Sequence, residues 1–318
     1  MPAFHHPAGR GQAFIAAALC GALLATATGI DRAAAEPRVV ASILPVHSLV
    51  AGVMAGVGEP HLIVRGAGSP HTYALKPSDA RALEQAELVF WIGPVYETFL
   101  DRPLKGLRRP RVVALIDAPG VVRLPAREGG PWADHEHEGG HGPAAAEEID
   151  GHLFLDPMNA GALAGAIAAA LTRADPANGA RYQANAADVI SRLDALDKQL
   201  KATLDPWRDR PFLVFHDAYQ YLEARYGLSA VGSITVSPDR RPGAKRLSQL
   251  RRRIAETNAG CVFSEPQFEP TLVRTLLEGT AARTGVLDPL GASEKPGPEA
   301  YFTMMRKLAQ AFAGCLAG

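Results

Sequence analysis

Past residue 35, the 318-residue chain contains no apolar run approaching the roughly 18 residues that a membrane-spanning helix needs. Nor does it carry an excess of either charge. Lys and Arg together number 33 and Asp and Glu also 33, so no overall field draws the chain to nucleic acid, and only local clusters can steer a partner. Cysteine is scarce, with three residues in the whole chain. The one H-E-x-x-H match, His137-Glu138-Gly139-Gly140-His141, falls in a Gly-rich polar run and not in a helical pattern, so it lacks the context of the helical zinc-hydrolase signature. Internal sequence repeats are absent as well. What remains is a composition of 47% hydrophobic and 21% charged residues, ordinary for a globular protein and, at this length, sufficient for two cores.

The first 35 residues read as an export signal. Arg10 provides the positive start, Ala13 to Ile30 is almost wholly apolar or small, and Ala33-Ala34-Ala35 offers an A-x-A cleavage site, so the mature protein is expected to begin near Glu36. A membrane anchor is the competing reading, but the stretch is rich in Ala, Gly and Thr and barely reaches spanning length. Cys20 follows the bulky Leu19, which argues against a lipoprotein site and leaves Cys20 in the discarded peptide. Cys261 and Cys315 remain, and an oxidising compartment favours a bridge between them over two buried free thiols.

Short β-rich runs alternate with helical patterns from Pro37 to Asp117, with strands expected at Val39 to Leu44, Leu62 to Val64, Leu88 to Ile92 and Val112 to Leu115. A helix over Ser78 to Ala86 takes Ser78 as its N-cap. Such alternation implies a parallel sheet covered on both faces. Between Gly129 and Asp150 the composition turns to Gly, Pro, Ala and acids around Asp134-His135-Glu136-His137-Glu138-Gly139-Gly140-His141, a loop too polar to pack. A strand at Leu153 to Leu155 follows. Next, Asp156-Pro157 opens a helix running to about Arg173. Residues 178–204 form one long helical pattern with Val189, Leu193, Leu196, Leu200 and Leu204 on one face. At ~1.5 Å per residue it spans roughly 40 Å, enough to bridge two lobes. The alternation resumes from Pro211, with strands at Phe212 to Phe215, Ala230 to Thr235, Cys261 to Ser264 and Val286 to Leu287 and a closing helix from Glu299 to Ala313. The expected architecture is α/β, two Rossmann-like lobes with parallel sheets: residues 36–177, including the loop at 129–150, then a linking helix at 178–204, then residues 205–318.

Three histidines sit beside strand ends in this scheme: His71 after Gly66-Ala67-Gly68-Ser69-Pro70, His152 between the polar loop and Leu153, and His216 directly after Phe212 to Phe215. The crevice at strand ends is where open α/β sheets bind ligands. Zinc favours imidazole nitrogens in a tetrahedral shell, which three such histidines and one further ligand satisfy. Asp288, in Leu287-Asp288-Pro289-Leu290, is a carboxylate candidate for that fourth place. Its alternative role is to cap a turn before proline.

The combination of Gly66-Ala67-Gly68-Ser69-Pro70-His71-Thr72-Tyr73-Ala74-Leu75-Lys76-Pro77-Ser78-Asp79, Leu88 to Pro94, Val214-Phe215-His216-Asp217-Ala218-Tyr219-Gln220-Tyr221-Leu222, Cys261-Val262-Phe263-Ser264-Glu265-Pro266-Gln267 and Leu287-Asp288-Pro289-Leu290-Gly291 resembles the zinc-specific branch of the metal-binding solute-binding proteins of ABC importers. The resemblance covers almost the whole mature chain. It implies two α/β lobes on a rigid backbone helix, one Zn²⁺ in the inter-lobe cleft, periplasmic location, a permease subunit as partner, and a monomeric, non-enzymatic carrier. Carried over by residue, the ligands are His71, His152 and His216. The fourth position varies within the family between a C-terminal acidic residue, a Glu beside the first histidine, and water; Pro70 removes the second option and leaves Asp288 or water. The family's zinc branch also has a His- and acid-rich loop at the place of residues 134–141 and often a disulfide matching Cys261 and Cys315.

Three imidazoles with or without one carboxylate suit Zn²⁺ better than a site with two carboxylates, which suits Mn²⁺. A manganese or iron carrier, a metallochaperone or adhesin, and a zinc-dependent hydrolase are the rival readings. The hydrolase is disfavoured because no acid stands beside two ligands as a general base. The loop at 134–141 either collects zinc, shields the cleft, or is only solvated. Histidines 47 and 61 are expected in packing roles, Glu265 in a hydrogen bond near the cleft, and the basic run Arg240, Arg241, Lys245, Arg246 and Arg251 to Arg253 on a solvated face or, less favourably, against a permease.

Overall fold

The computed structural model describes residues 2–5, 36–108, 111–127, 129, 131–132, 148–235, 242–268 and 271–318. The export signal at 1–35 and the His/acid run at 134–141 lie outside the described residues, apart from residues 2–5 of the signal. Among the described residues, no helix is long and apolar enough to cross a membrane.

The first lobe is built from β1 (Val39–Ala41), α1 (Leu44–Val53), β2 (His61–Leu62), α2 (Pro77–Gln85), β3 (Leu88–Trp91), α3 (Thr98–Gly106) and β4 (Arg111–Ala114). Its four parallel strands lie in the order β2-β1-β3-β4. Residues 88–91 are buried throughout, as expected of a strand covered on both faces. The run expected as one strand over Val39 to Leu44 ends early, because Pro45 suits the first turn of α1 and the chain turns into that helix at Leu44. Ser78 does not cap α2. The helix starts one residue earlier at Pro77, and the carboxylate of Asp79 accepts from Lys76 N at 3.4 Å.

Two helices follow, α4 (Pro157–Ala174) and α5 (Gly179–Leu204). Asp156 caps α4 by accepting from Met158 N at 2.9 Å. All five predicted apolar positions on the long helix, Val189, Leu193, Leu196, Leu200 and Leu204, are buried. This helix packs on α1, α4 and the last helix of the chain, α9 (Ala300–Leu316), so one stripe of leucines anchors elements from both halves of the sequence.

The second lobe comprises β5 (Pro211–His216), α6 (Gln220–Tyr226), β6 (Ser229–Thr235), α7 (Ala244–Thr257), β7 (Cys261–Ser264), α8 (Thr271–Leu277) and β8 (Arg283–Val286), closed by α9. Its parallel sheet runs β6-β5-β7-β8, the same order as in the first lobe. The sequence pattern had placed the last strand at Val286 to Leu287; pairing with β7 begins at Arg283 instead.

Leu153 to Leu155 is a buried one-turn 3₁₀ helix, not the strand expected from its apolar run. It lies too close to the N-cap of α4 to join a sheet, and its carbonyls are taken up by side chains: Asn159 Nδ2 donates to Leu153 O at 3.1 Å, and the Tyr301 hydroxyl of α9 to Phe154 O at 2.8 Å. A short apolar run does not by itself distinguish strand from buried helix, and here the adjacent helix start decided.

A disulfide joins Cys261 in β7 to Cys315 in α9 across a sequence separation of 54, with Cα atoms 6.1 Å apart. It fixes the closing helix to the sheet it covers. The protein beginning at Glu36 is therefore expected to show no free thiol when denatured without reductant. Replacing both cysteines by alanine should lower unfolding free energy by about 4 kcal/mol through loop-closure entropy. Two titratable thiols, or an unchanged denaturation midpoint, would contradict this.

Candidate metal centre

Three loops at strand and helix ends bring His71, His152 and His216 together. One ring nitrogen from each lies within 4.8 Å of the others, and among the described residues this is the group able to hold a metal ion. His216 closes β5 and is 4% exposed; His152 is 6% exposed and leads into the 3₁₀ turn. His71 is only half-buried, on the loop between β2 and α2, where its N–H donates to Ser69 Oγ at 3.3 Å. That loop is held by the Tyr73 hydroxyl, which bonds Ile63 O at 3.2 Å and Asp79 Oδ2 at 2.9 Å.

Each buried imidazole is backed by a carboxylate. Nδ1 of His152 meets Asp150 Oδ1 at 2.7 Å, and Nδ1 of His216 meets Glu265 Oε1 at 2.7 Å. A neutral imidazole that donates Nδ1–H to a carboxylate leaves its Nε2 lone pair for a metal. Those two Nε2 atoms stand 3.2 Å apart. At zinc–nitrogen lengths of about 2.0–2.1 Å, a tetrahedral shell separates neighbouring nitrogens by about 3.4 Å. The His152–His216 pair thus has the spacing that zinc requires, and a ring nitrogen of His71 lies within 4.8 Å of both.

Electrostatics agree with this geometry. Burial, then the neighbouring His216, holds the His152 pKa well below the ordinary histidine value. At His216 burial also opposes the charge, but the charge and hydrogen bond of Glu265 outweigh it and raise the pKa. Burial pushes Asp150 up to about 7, against the His152 N–H and the charge of Arg127. Asp150 Oδ2 and Glu265 Oε2 are buried with no hydrogen-bond partner. A divalent cation at the imidazoles is a charge that such a pair of buried carboxylates favours.

Packing aims the rings. The Tyr96 ring, 2% exposed, meets His71 edge-on with centroids 5.2 Å apart and His152 edge-on at 4.9 Å. Gly151 is required beside it: a Cβ there would lie 2.7 Å from Tyr96 Cβ, so no larger residue fits between Asp150 and His152.

Asp288 stands outside the three-histidine group. Its carboxylate accepts from Gln267 Nε2 at 3.0 Å, Leu290 N at 3.2 Å and Ala292 N at 2.6 Å, which organises the turn after β8. Glu265 occupies the hydrogen-bonding place expected of it. His47 is buried with Nε2 3.0 Å from Pro60 O, and His61 lies 3.6 Å from Asp79, both away from the cluster. Asp150 and Tyr96 escaped the sequence reading; the Asp-Gly-His spacing at 150–152 is the one local signal that an acid two residues back can reach the imidazole.

Comparison with known proteins gives this arrangement its context. Residues 39–315 match the profile of the family described as zinc-uptake complex component A, periplasmic. The high-affinity zinc uptake system protein ZnuA of Brucella abortus (strain 2308) is 48% identical over 324 residues, covering 94% of this chain and 97% of the relative. The protein of the same name from Yersinia pestis is 36% identical, covering 96% and 97%. A crystal structure of ZnuA superposes with a TM-score of 0.75 at 27% identity, covering 88% of this chain and 99% of that one. With the family profile matched over most of its length and relatives this similar, the chain belongs to the periplasmic zinc-uptake component A family.

Proposed function

We propose that this protein captures Zn²⁺ in the periplasm and delivers it to the permease subunit of an ABC importer, holding the ion in the cleft between its lobes on His71, His152 and His216. The observation that carries this reading is the convergence of three imidazole nitrogens from three separate segments, two of them fixed by carboxylates at Nδ1. Export is by the leader at 1–35, and the mature chain works as a monomer of two lobes, 36–177 and 205–318, with the helix at 178–204 between them. Zinc is cargo here and must leave again, so a shell in which His71 is less buried than His152 and His216 suits a carrier.

Asp288 is the fourth ligand in this reading. Ligating carboxylates are commonly hydrogen-bonded themselves, so its three donors orient the group without preventing ligation. A carboxylate also lowers the charge of the site from +2 to +1 in a setting partly withdrawn from water. The same histidines do not make a hydrolase: Asp150 and Glu265 are committed to Nδ1 atoms, on the far side of the rings from the metal.

Stoichiometric zinc binding measured by chelator competition should be lost or weakened severely in each of His71→Ala, His152→Ala and His216→Ala. Unchanged affinity in any one removes that residue from the shell. Asp288→Asn should weaken zinc by less than any histidine loss, because water fills the vacated place. If Asp288→Asn binds as tightly as the parent, the shell is three histidines and water, and Asp288 serves its turn alone.

A further inference from the structure

Two strands of chain flank the His/acid run and pair with each other: Pro125 and Ile149 form an antiparallel bridge, Ala126 N donates to Glu148 O at 2.6 Å, and Asp150 N to Leu124 O at 2.9 Å. This stem ends in Asp150, the carboxylate behind His152. It lies on α6 of the second lobe, where the Tyr221 hydroxyl accepts from Leu124 N at 2.9 Å and donates to Asp150 O at 2.9 Å. Arg127 projects from the same stem into two carboxylates of that lobe. Nε donates to Asp217 Oδ2 at 2.9 Å, Nη1 to Glu223 Oε2 at 2.7 Å, and Nη2 to Glu223 Oε1 at 2.9 Å and also to Asp217 Oδ1. The Trp132 ring stacks on the guanidinium with its centre 3.5 Å away. Side-chain exposures of 20%, 11% and 9% for Arg127, Asp217 and Glu223 make this a largely buried assembly.

Asp217 is the residue directly after His216. The guanidinium therefore joins the backbone that carries one buried imidazole to the stem that carries the carboxylate holding the other. We infer that Arg127 is a positioning residue for zinc capture: by chelating Asp217 and Glu223 it sets His152 and His216 at the 3.2 Å Nε2 spacing that a tetrahedral ion needs. It touches neither ligand ring. The inference rests on the zinc-binding reading of the three histidines.

Geometry and charge make opposite demands, which renders the idea testable. Removing the positive charge of Arg127 leaves two carboxylates near the metal without their cation, and electrostatics alone would then tighten zinc binding. Loss of positioning weakens it. Fork-shaped bidentate bonding to two acids is specific to arginine, so lysine restores the charge but not the geometry.

The experiment is zinc affinity by chelator competition for the parent, Arg127→Gln and Arg127→Lys, with thermal melts of each and the visible spectrum of each loaded with Co²⁺. Arg127→Gln is expected to bind zinc about 10- to 100-fold more weakly, the range for residues that orient metal ligands. Arg127→Lys should recover less than half of that loss on a logarithmic scale, and the Co²⁺ ligand-field bands of both should shift or weaken relative to the parent. Equal or tighter binding by Arg127→Gln, or full recovery by lysine, overturns the inference. Should Arg127→Gln fail to fold, Arg127→Lys decides alone: weaker binding with altered Co²⁺ bands supports positioning, and parental binding refutes it. If neither variant folds, the cluster serves the fold and the inference is wrong. Failure of the parent to bind zinc would instead remove the functional reading on which all of this rests.

Discussion

Two imidazole rings, buried almost completely, face each other with their Nε2 atoms in contact and a carboxylate behind each Nδ1. Placing Asp150 and Glu265 where one oxygen of each has no partner costs free energy, because buried charge and buried unsatisfied acceptors are both unfavourable. On the proposed zinc site, the arrangement becomes favourable when the face between the rings holds a divalent cation. Binding then supplies the positive charge that the carboxylates are built around, and the imidazoles transmit it. Every other feature of the centre serves to hold these four side chains at the required spacing.

The α/β framework does so by repetition. Both lobes have four parallel strands in the same order, and His216 stands at the carboxyl end of the second lobe's β5, where such sheets receive ligands. His71 arrives on a loop of the first lobe and is half-buried, so the proposed shell would combine two buried histidines with a more exposed third. The long leucine-striped helix and the Cys261–Cys315 disulfide keep the scaffold around that pair from shifting, the first by packing on both halves and the second by fastening the last helix to its sheet.

Most of the framework was legible because its signals are local and periodic. Short apolar runs such as Leu88 to Trp91 and Cys261 to Phe263, and the three-and-four spacing along residues 178–204, report burial directly. Leu153 to Leu155 misled for the same reason: three apolar residues report burial but not backbone conformation, and the nearby helix start determined the latter. At the centre, His216 could be found from its strand-end position and all three histidines from the resemblance, whereas the strand expected beside His152 is a 3₁₀ turn. The carboxylates behind them were harder to see. Glu265 reaches His216 across 49 positions of sequence, and no spacing rule announces such a pair. Asp288 shows the limit from the other side, since the residues around it read equally well as a ligand site and as a turn, and its three donors fit both roles.

The most direct measurement is the zinc K-edge X-ray absorption spectrum of the protein loaded with one equivalent of Zn²⁺. The account predicts four-coordinate zinc with three imidazole nitrogens at about 2.0–2.1 Å, recognisable by ring multiple scattering, and a single light-atom oxygen ligand. Fewer than three imidazoles, a sulfur neighbour, or a six-coordinate oxygen shell would contradict it.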